Sequence, residues 1–227
     1  MNTVIEMANL KIGYSPDNIL AKIKNLQVKQ GEIISIIGES GIGKTTLLKN
    51  IANLVKPISG SLKVFDNEQN RGRIGYIPQK LGLVKHETVF FNVLEGAICN
   101  ESILRSISGF HDDSVLTKVE KSIDLMNLSD KIDEPIKRLS GGQQRRVAIA
   151  RTMAQEPKLI LADEFLSELD NKTVDSVWKT MLDYVERENT TLIIVEHNIE
   201  RAKLAKRCLK LEQNKEKGYS VLNEVQI

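Results

Sequence analysis

A single stretch of the chain combines a buried strand, a glycine-rich turn and the start of a helix. The apolar run Ile33-Ile34-Ser35-Ile36-Ile37 is followed by Gly38-Glu39-Ser40-Gly41-Ile42-Gly43-Lys44-Thr45-Thr46 and then by Leu47-Leu48-Lys49-Asn50-Ile51. The middle segment fits the pattern G-x-x-x-x-G-K-[ST] in the strand and helix context that the pattern requires. Its glycines allow left-handed backbone angles, so the amides of the turn point inward and join the positive end of the helix. The stretch therefore predicts a cradle for phosphate groups.

Two side chains of this turn carry the expected chemistry. Lys44 is expected to contact the outer phosphates as a point charge, and the Thr45 hydroxyl is expected to be a ligand for Mg²⁺. The alternative is an ordinary glycine-rich turn between a strand and a helix. The match in pattern and context together makes that alternative the weaker one.

The composition is that of a globular chain without a nucleic-acid footprint. Its 227 residues are 41% hydrophobic and 27% charged, which is enough apolar material for a sizeable core. The formal net charge is only +2, and the basic residues are interspersed with acidic ones. We therefore expect no nucleic-acid partner.

Neither end of the chain predicts export or a membrane anchor. The start, Met1-Asn2-Thr3-Val4-Ile5-Glu6, lacks a basic region followed by an apolar core, and no apolar run approaches the length of a membrane span. The expected location is the cytoplasm, with contact to the inner face of the cell membrane only through a partner.

The segments before the phosphate turn predict an antiparallel β piece. Val4 to Leu10 and Ile19 to Val28 alternate around the turn Tyr14-Ser15-Pro16-Asp17-Asn18. Tyr14 lies upstream of the cradle, where an adenine ring could stack on it. A lone aromatic residue at such a place more often packs within the turn.

Three further local patterns predict elements of the fold. The helix after the phosphate turn is expected over 44–54, ending before Lys56-Pro57, because proline disfavours helical angles in the residue before it. Thr88 can cap a helix, and the tail from Leu209 to Ile227 is expected to form a hairpin.

A helical pattern interrupts the strands between Leu83 and Leu139 and ends at a second glycine pair. After Pro135 the chain reads Leu139-Ser140-Gly141-Gly142-Gln143, followed by a strongly helical run. Ser140 is a natural helix cap, and the two glycines would expose the first amides to a phosphate. The segment predicts a second anion site, although an ordinary capped helix start explains the same residues.

Two further apolar strands end in polar side chains. Leu159-Ile160-Leu161-Ala162 leads into Asp163-Glu164, and the strand Thr191 to Val195 leads into Glu196-His197. The helical run 173–187 joins the two strands, which predicts a parallel sheet covered on both faces. Ligands bind beyond the carboxyl ends of such strands, so Lys44, Asp163, Glu164 and His197 are expected at one edge.

These residues together resemble the ATP-binding subunit of ABC transporters, and the resemblance covers essentially the whole chain. The phosphate turn looks like the Walker A motif of that family, Gln79 its Q-loop and residues 139–143 its signature sequence. Asp163 and Glu164 resemble its Walker B aspartate and catalytic glutamate, the segment 167–170 its D-loop and His197 its switch histidine. The signature discriminates this family from other P-loop proteins.

The resemblance implies an α/β fold, in which a P-loop core of mostly parallel sheet carries an N-terminal antiparallel β piece and an inserted helical subdomain. The whole chain, 1–227, would form one ATPase domain. Its core lobe is expected at about 1–80 and 144–227, and its helical subdomain with the signature at about 81–143.

The resemblance also implies a Mg²⁺-dependent ATPase that works as a dimer. Each ATP would lie between one chain's Walker A and the signature of the second subunit, which a homodimer would supply. Catalysis would involve Glu164 as general base, His197 against the γ-phosphate, and Lys44 and Gln79. ATP would contact Tyr14, residues 38–46 and residues 140–143, and Mg²⁺ would be held by Thr45, Gln79 and Asp163.

The partners implied by the family are transmembrane permease subunits, whose solute transport the ATPase would drive. One rival is an ABC ATPase that transmits force to a membrane protein of cell-wall or lipoprotein processing. Another rival is an ABC protein acting on ribosomes or DNA. A further rival is a P-loop small-molecule kinase, and the signature argues against the kinase. The chain departs from the family pattern at Phe165 and Leu166 where Pro is usual, at Glu168 in place of a small residue, and at Phe91 and Asn198.

Overall fold

The computed structural model describes residues 2–65, 72–100, 111–214, 216 and 218–226. The chain divides into two compact units. Unit 1 comprises residues 1–70, 161–164 and 189–227, and unit 2 comprises residues 71–160 and 165–188. Part of the helical segment predicted at 83–139, residues 101–110, lies outside the described residues.

The described strands and helices alternate along much of the chain. The strands are β1 Thr3–Ser15, β2 Asn18–Lys29, β3 Ile33–Ile37, β4 Ser59–Val64, β5 Ile74–Ile77, β6 Leu159–Asp163, β7 Thr191–Val195, β8 Arg207–Asn214 and β9 Tyr219–Val225. The α-helices are α1 Lys44–Ile51, α2 Val89–Ala97, α3 Asp113–Leu125, α4 Gly141–Ala154, α5 Asn171–Arg187 and α6 Ile199–Ala202.

The strands form a nine-stranded sheet in the order β4-β1-β2-β9-β8-β3-β7-β6-β5. Strand β3 pairs in parallel with β7 and β8, whereas β1 pairs antiparallel with β2 and β4. The predicted fold class is confirmed, including the N-terminal antiparallel piece. The C-terminal strands β8 and β9 also form the predicted antiparallel hairpin.

The core of unit 1 sits on the central strands. All five residues of β3 and all five of β7 are buried, because both faces of these strands are covered. Ile33 of β3 is in register with Leu192 of β7, and Ile36 with Val195. These aligned strands end at the same sheet edge, which brings the turn after β3 and the polar residues after β7 together.

Helix α1 ends earlier than the sequence pattern predicts. The predicted helix runs to residue 54, but α1 ends at Ile51 with Ala52 as its C-terminal cap. Asn53 then takes a left-handed conformation, with φ of 57°. Asparagine accepts this conformation more readily than most residues, so the helix stops there rather than at the proline that follows.

Unit 2 contains α2, α3, α4 and α5. Helix α2 packs against α3 and α4. Its backbone approaches α4 closely at Gly96, where an added Cβ would lie 2.0 Å from the Arg151 carbonyl oxygen. The Thr88 hydroxyl caps α2 as predicted, accepting a hydrogen bond from the Phe91 N–H at 3.1 Å. Helix α5 is tied to α4 by the Tyr184 hydroxyl, which donates to the Met153 carbonyl at 3.1 Å.

Candidate functional site

The phosphate turn of unit 1 depends on three glycines with positive φ. Gly38, Gly41 and Gly43 have φ of 152°, 76° and 112°, a region that other residues rarely adopt. At Gly38 a side chain is also excluded by space, because a Cβ would lie 2.7 Å from the Leu211 carbonyl oxygen. The strand β8 therefore supports the base of the turn.

Lys44 lies at the first position of α1 and turns back over the glycine-rich loop. Its ammonium group donates hydrogen bonds to the carbonyl oxygens of Gly38 and Glu39, both at 2.7 Å. The side chain is buried, and burial lowers the pKa of Lys44, while the carboxylates of Glu164 and Asp163 oppose that effect. A cation is thus held in the loop that the sequence predicts to receive phosphate.

Asp163 is the last residue of β6 and is 1% exposed. Neither of its carboxylate oxygens has a hydrogen-bond partner among the described residues. Burial raises the pKa of Asp163; the Thr45 hydroxyl, which lies near without reaching hydrogen-bond geometry, lowers it. Because an unpaired buried carboxylate is costly, this arrangement fits a bound cation as its missing partner.

The residues around Asp163 also offer the oxygen ligands that magnesium takes from proteins. Mg²⁺ is usually held by one or two carboxylates together with substrate phosphates and waters. Asp163 supplies one carboxylate, and the nearby Thr45 hydroxyl supplies a second oxygen. Within the described ranges, no group of three or more His, Cys, Asp or Glu side chains is arranged to hold a metal by itself.

Glu164 and His197 form a direct contact at the sheet edge. His197 Nε2 lies 2.7 Å from Glu164 Oε1, and the Glu164 N–H donates to the Val195 carbonyl at 3.1 Å. Glu164 has φ of 52°, a left-handed conformation that costs a non-glycine residue roughly 1–3 kcal/mol. Glu164, whose backbone is strained, therefore has its carboxylate held against the His197 imidazole at the ends of β6 and β7.

Unit 1 thus brings together the four residues that the sequence places at one sheet edge. The Lys44 ammonium interacts electrostatically with the Glu164 and Asp163 carboxylates, and Glu164 contacts His197. A general base needs this kind of close partner to be held in place for proton abstraction. Sequence reasoning did not single out Glu196, a buried carboxyl between β7 and His197; its position at the end of an apolar strand was the available signal.

Tyr14 lies near the end of β1 and is 77% exposed, so its ring is accessible to a stacking partner. A cleft of about 290 Å³ adjoins the outer side of the phosphate turn in the same unit. Tyr14 is not among the residues that line it, so adenine stacking on Tyr14 stays a prediction. The cleft is lined by Asn18, Ile19, Leu20, Glu39, Ser40, Gly41, Ile42, Gln213, Gly218, Tyr219 and Ser220.

In unit 2, the second glycine pair lies inside a helix start with two reciprocal caps. Ser140 Oγ accepts from the Gln143 N–H at 3.3 Å, and Gln143 Oε1 accepts from the Ser140 N–H at 2.9 Å. Gly141 and Gly142 belong to α4, which begins three residues before the predicted helical run. This capping box fixes the helix tip, and the glycines leave it without side chains.

Sequence reasoning missed Arg145, which is 1% exposed and lies one turn into α4. Its guanidinium donates to the Gln79 carbonyl at 3.2 Å and to the Ser167 hydroxyl at 2.8 Å. It also lies 3.5 Å from Glu168 Oε1. The helical phase was the available signal, because Arg145 shares a face with the buried Ile149 and Thr152.

A family model described as "ABC transporter" matches residues 21–167, more than half of the chain. The chain belongs to the ABC transporter family. Like other members of the family, this chain is an ATP-binding and ATP-hydrolysing subunit. Within the described residues, none of the helices combines the length and apolar composition that crossing a bilayer requires.

The chain is similar in sequence to two kinds of curated ABC transporter subunit. The lipoprotein-releasing system ATP-binding protein LolD of Rickettsia bellii is 33% identical over 220 residues, which cover 93% of this chain and 96% of that one. The phosphonates import ATP-binding protein PhnC of Halobacterium salinarum is 31% identical over 201 residues, covering 88% of this chain and 71% of the relative. Both relatives are ATP-binding proteins.

Solved ABC structures share the fold over nearly the entire chain. A dimeric ATP-binding cassette in a post-hydrolysis state, bound to ADP and Pi, is 25% identical with a TM-score of 0.79 and covers 98% of this chain and 99% of that one. An inward-facing ABC transporter of a putative metal-chelate type is 26% identical with a TM-score of 0.80, covering 100% of this chain and 84% of that one.

Proposed function

We propose that this ABC ATPase hydrolyses Mg²⁺-bound ATP as a homodimer and thereby drives a transmembrane permease from the inner face of the cell membrane. The observation that carries the proposal is the Glu164–His197 contact of 2.7 Å at the sheet edge that also holds Lys44 and Asp163. A phosphate cradle, a buried cation and a paired carboxylate are the groups that phosphoryl transfer to water requires.

The residues of unit 1 divide the work of hydrolysis. Glu164 positions and deprotonates the attacking water, while His197 keeps Glu164 and the water in register beside the γ-phosphate. Lys44 and the amides of the turn offset the charge of the transferring phosphoryl group. Tyr14 stacks on adenine, and the remaining contacts to ATP come from Gly38, Glu39, Ser40, Gly41, Ile42, Gly43, Thr45 and Thr46.

Thr45 and Asp163 would hold the magnesium ion together with Gln79. An ion held there would supply positive charge to neutralise the phosphates and polarise the phosphoryl oxygens. Asp163 fits this role because its two buried oxygens have no partner among the described residues. A single protein carboxylate suffices, since Mg²⁺ retains water and phosphate ligands.

The second copy of the chain supplies the other phosphate contacts. Its segment Ser140, Gly141, Gly142 and Gln143 would present the capped tip of α4 to the γ-phosphate, using the positive end of the helix. Pairing of identical chains then gives two equivalent ATP sites. The segment 81–143 is assigned to a helical lobe that meets the permease, and the segments 1–80 and 144–227 to the ATP-binding core.

A second candidate function is force transmission to a membrane protein that releases lipoproteins. The observation in its favour is the similarity to LolD, which extends over 96% of that relative's length against 71% for PhnC. Reconstitution of the ATPase in vesicles with a candidate permease subunit separates the two functions. Accumulation of a solute in vesicles supports transport, and release of a lipoprotein without solute movement supports the second candidate.

Replacing Glu164 with glutamine tests the catalytic assignment. The variant E164Q should bind ATP but hydrolyse it about 10²- to 10⁴-fold more slowly, because general-base assistance is lost, and it should accumulate as an ATP-bound dimer. Phosphate release and size-exclusion chromatography with light scattering measure the two effects.

Glu200→Gln is the matched control for E164Q. It makes the same charge change on exposed α6, three residues after His197, where Glu200 only pairs with Lys203. Its turnover should equal that of the unsubstituted chain. Near-normal hydrolysis by E164Q would refute the role of Glu164 as the base.

A further inference from the structure

Glu168 carries a carboxylate that lies against the first residue of helix α4. A Cβ built on Gly141 would be 2.8 Å from Glu168 Oε2, and one on Gly142 would be 3.2 Å from the Glu168 carbonyl oxygen. The Glu168 carboxylate therefore lies beside the first turn of α4, near the positive end of the helix. The contact lies within unit 2, which contains both segments.

Arg145 fixes this carboxylate in place. The Arg145 side chain is 1% exposed, whereas that of Glu168 is 61% exposed, and the two charged groups are 3.5 Å apart. A buried guanidinium keeps its charge and therefore needs an anionic partner. The other donors of Arg145 reach the Pro78 and Gln79 carbonyls and the Ser167 hydroxyl, so the guanidinium cannot follow Glu168 if that side chain moves.

The backbone at Glu168 is also held away from its preferred conformation. Glu168 has φ of 67°, which is left-handed and costly for a glutamate. Both observations, strain and a buried cation, converge on the same side chain.

We infer that Glu168, held by Arg145, places a negative charge beside the tip of α4 and thereby opposes the approach of a nucleotide phosphate from the second chain to that tip. The inference rests on the proposed function, in which Ser140, Gly141 and Gly142 receive that phosphate. The Glu168 carboxylate and the nucleotide phosphate are both attracted to the positive end of the helix, and they repel each other at close range. Glu168 therefore weakens ATP-driven dimer formation and sets the nucleotide concentration at which the dimer closes.

The test measures dimer dissociation in the hydrolysis-deficient E164Q background at saturating Mg·ATP. Adding Glu168→Gln should tighten the dimer about twofold to fivefold, the range expected for removing one exposed charge at a helix end. Arg145 keeps its hydrogen bonds to the Pro78 and Gln79 carbonyls and the Ser167 hydroxyl in this variant, so its anchoring of the loop is preserved. Glu168→Asn is the second variant, because asparagine accepts left-handed φ and is too short to cover Gly141.

Glu156→Gln is the matched control, since Glu156 is half-exposed in the same unit and pairs with Lys118 instead of the helix tip. It should leave dimer dissociation unchanged. The gain from Glu168→Gln should shrink at high salt, where charges at the surface are screened, and an effect on packing alone would not respond to salt.

The outcomes separate this inference from the proposed function. If E164Q dimerises with ATP and Glu168→Gln leaves its dissociation constant unchanged or higher, the inference about Glu168 is overturned and the proposed function stands. If every variant remains monomeric with ATP, both are overturned. If only the Glu168 variants dimerise, the inhibition by Glu168 is stronger than expected and the inference holds.

Discussion

Replacing Glu196 with glutamine should stabilise the folded chain above neutral pH but not at acidic pH. Glu196 directly follows β7, its side chain is buried, and its Oε1 has no hydrogen-bond partner among the described residues. Burial raises the pKa of this carboxyl to about 7; Arg201 opposes the rise and Glu164 reinforces it. Ionised Glu196 is therefore an unfavourable charge in the folded state.

The size of the effect follows from the pKa in the two states. The ordinary pKa of a glutamate is 4.5, so between that value and about 7 the folded chain binds the proton more tightly than the unfolded chain. The stability from the neutral carboxyl is thus complete below pH 4.5 and is lost as the pH rises towards 7. Each tenfold change in proton affinity is worth about 1.4 kcal/mol, which makes the loss about 3 kcal/mol.

Urea unfolding of E196Q and the unsubstituted chain at pH 5 and pH 8.5 measures this loss. Glutamine cannot ionise, so E196Q should gain about 2.5 kcal/mol more free energy of unfolding at pH 8.5 than at pH 5, relative to the unsubstituted chain, because a small part of the loss has already occurred at pH 5. Other titrating groups are common to both proteins and cancel in this comparison. The control Glu200→Gln changes an exposed carboxylate and should show no such pH-dependent gain.

The reasoning would be refuted by an equal stability change of E196Q at the two pH values. Such a result would mean that Glu196 is ionised in the folded chain with an ordinary pKa. Because Glu164 lies near enough to repel Glu196, the E164Q/E196Q double variant also reports their coupling. We expect the pH-dependent gain of E196Q to be smaller in the E164Q background, since one source of the raised pKa is absent.

Two further predictions concern the magnesium site and the membrane partner. Asp163→Asn should raise the dissociation constant of Mg·ATP at least about tenfold and make ATP binding independent of Mg²⁺, because a neutral amide cannot replace the buried carboxylate. Calorimetry with and without EDTA measures both effects. Retained magnesium dependence would contradict the assignment. Phe91→Asp should abolish stimulation of the ATPase by the permease but spare the activity of the isolated chain, since Phe91 is an exposed apolar residue of α2. Leu54→Asp, an equally apolar exposed change in unit 1, is its control, and unchanged stimulation in Phe91→Asp would place the docking surface elsewhere.

Local sequence patterns determined most of the secondary structure. The apolar runs of β3 and β7 are buried on both faces and were readable as strands, and Thr88 and Ser140 are the helix caps that their positions predict. These features depend on neighbours within a few residues, which is the range over which periodicity and capping act. The end of α1 was misplaced because a left-handed Asn53 stops a helix as effectively as a proline does.

The candidate site was predicted from the ends of strands, because parallel strands deliver their following residues to one edge. That rule anticipated the proximity of Glu164 and His197, which are 33 positions apart in sequence. It could not supply the distances or the strained φ of Glu164, since these depend on how β6 and β7 align.

Only the tertiary structure decided which charged side chains are buried and what they contact. In the sequence Arg145 is one of two adjacent arginines, set apart only by its helical phase, and Glu168 is one acidic residue in a loop that no local pattern distinguishes from solvent-exposed charges. Folding buries Arg145, draws Glu168 to it and places the carboxylate against Gly141. Residue order by itself determined the phosphate turn and the strand ends that carry the candidate site. The packing of α4 against loops distant in sequence decided which charged side chains are buried and paired, because burial and long-range pairing set the energies of charges.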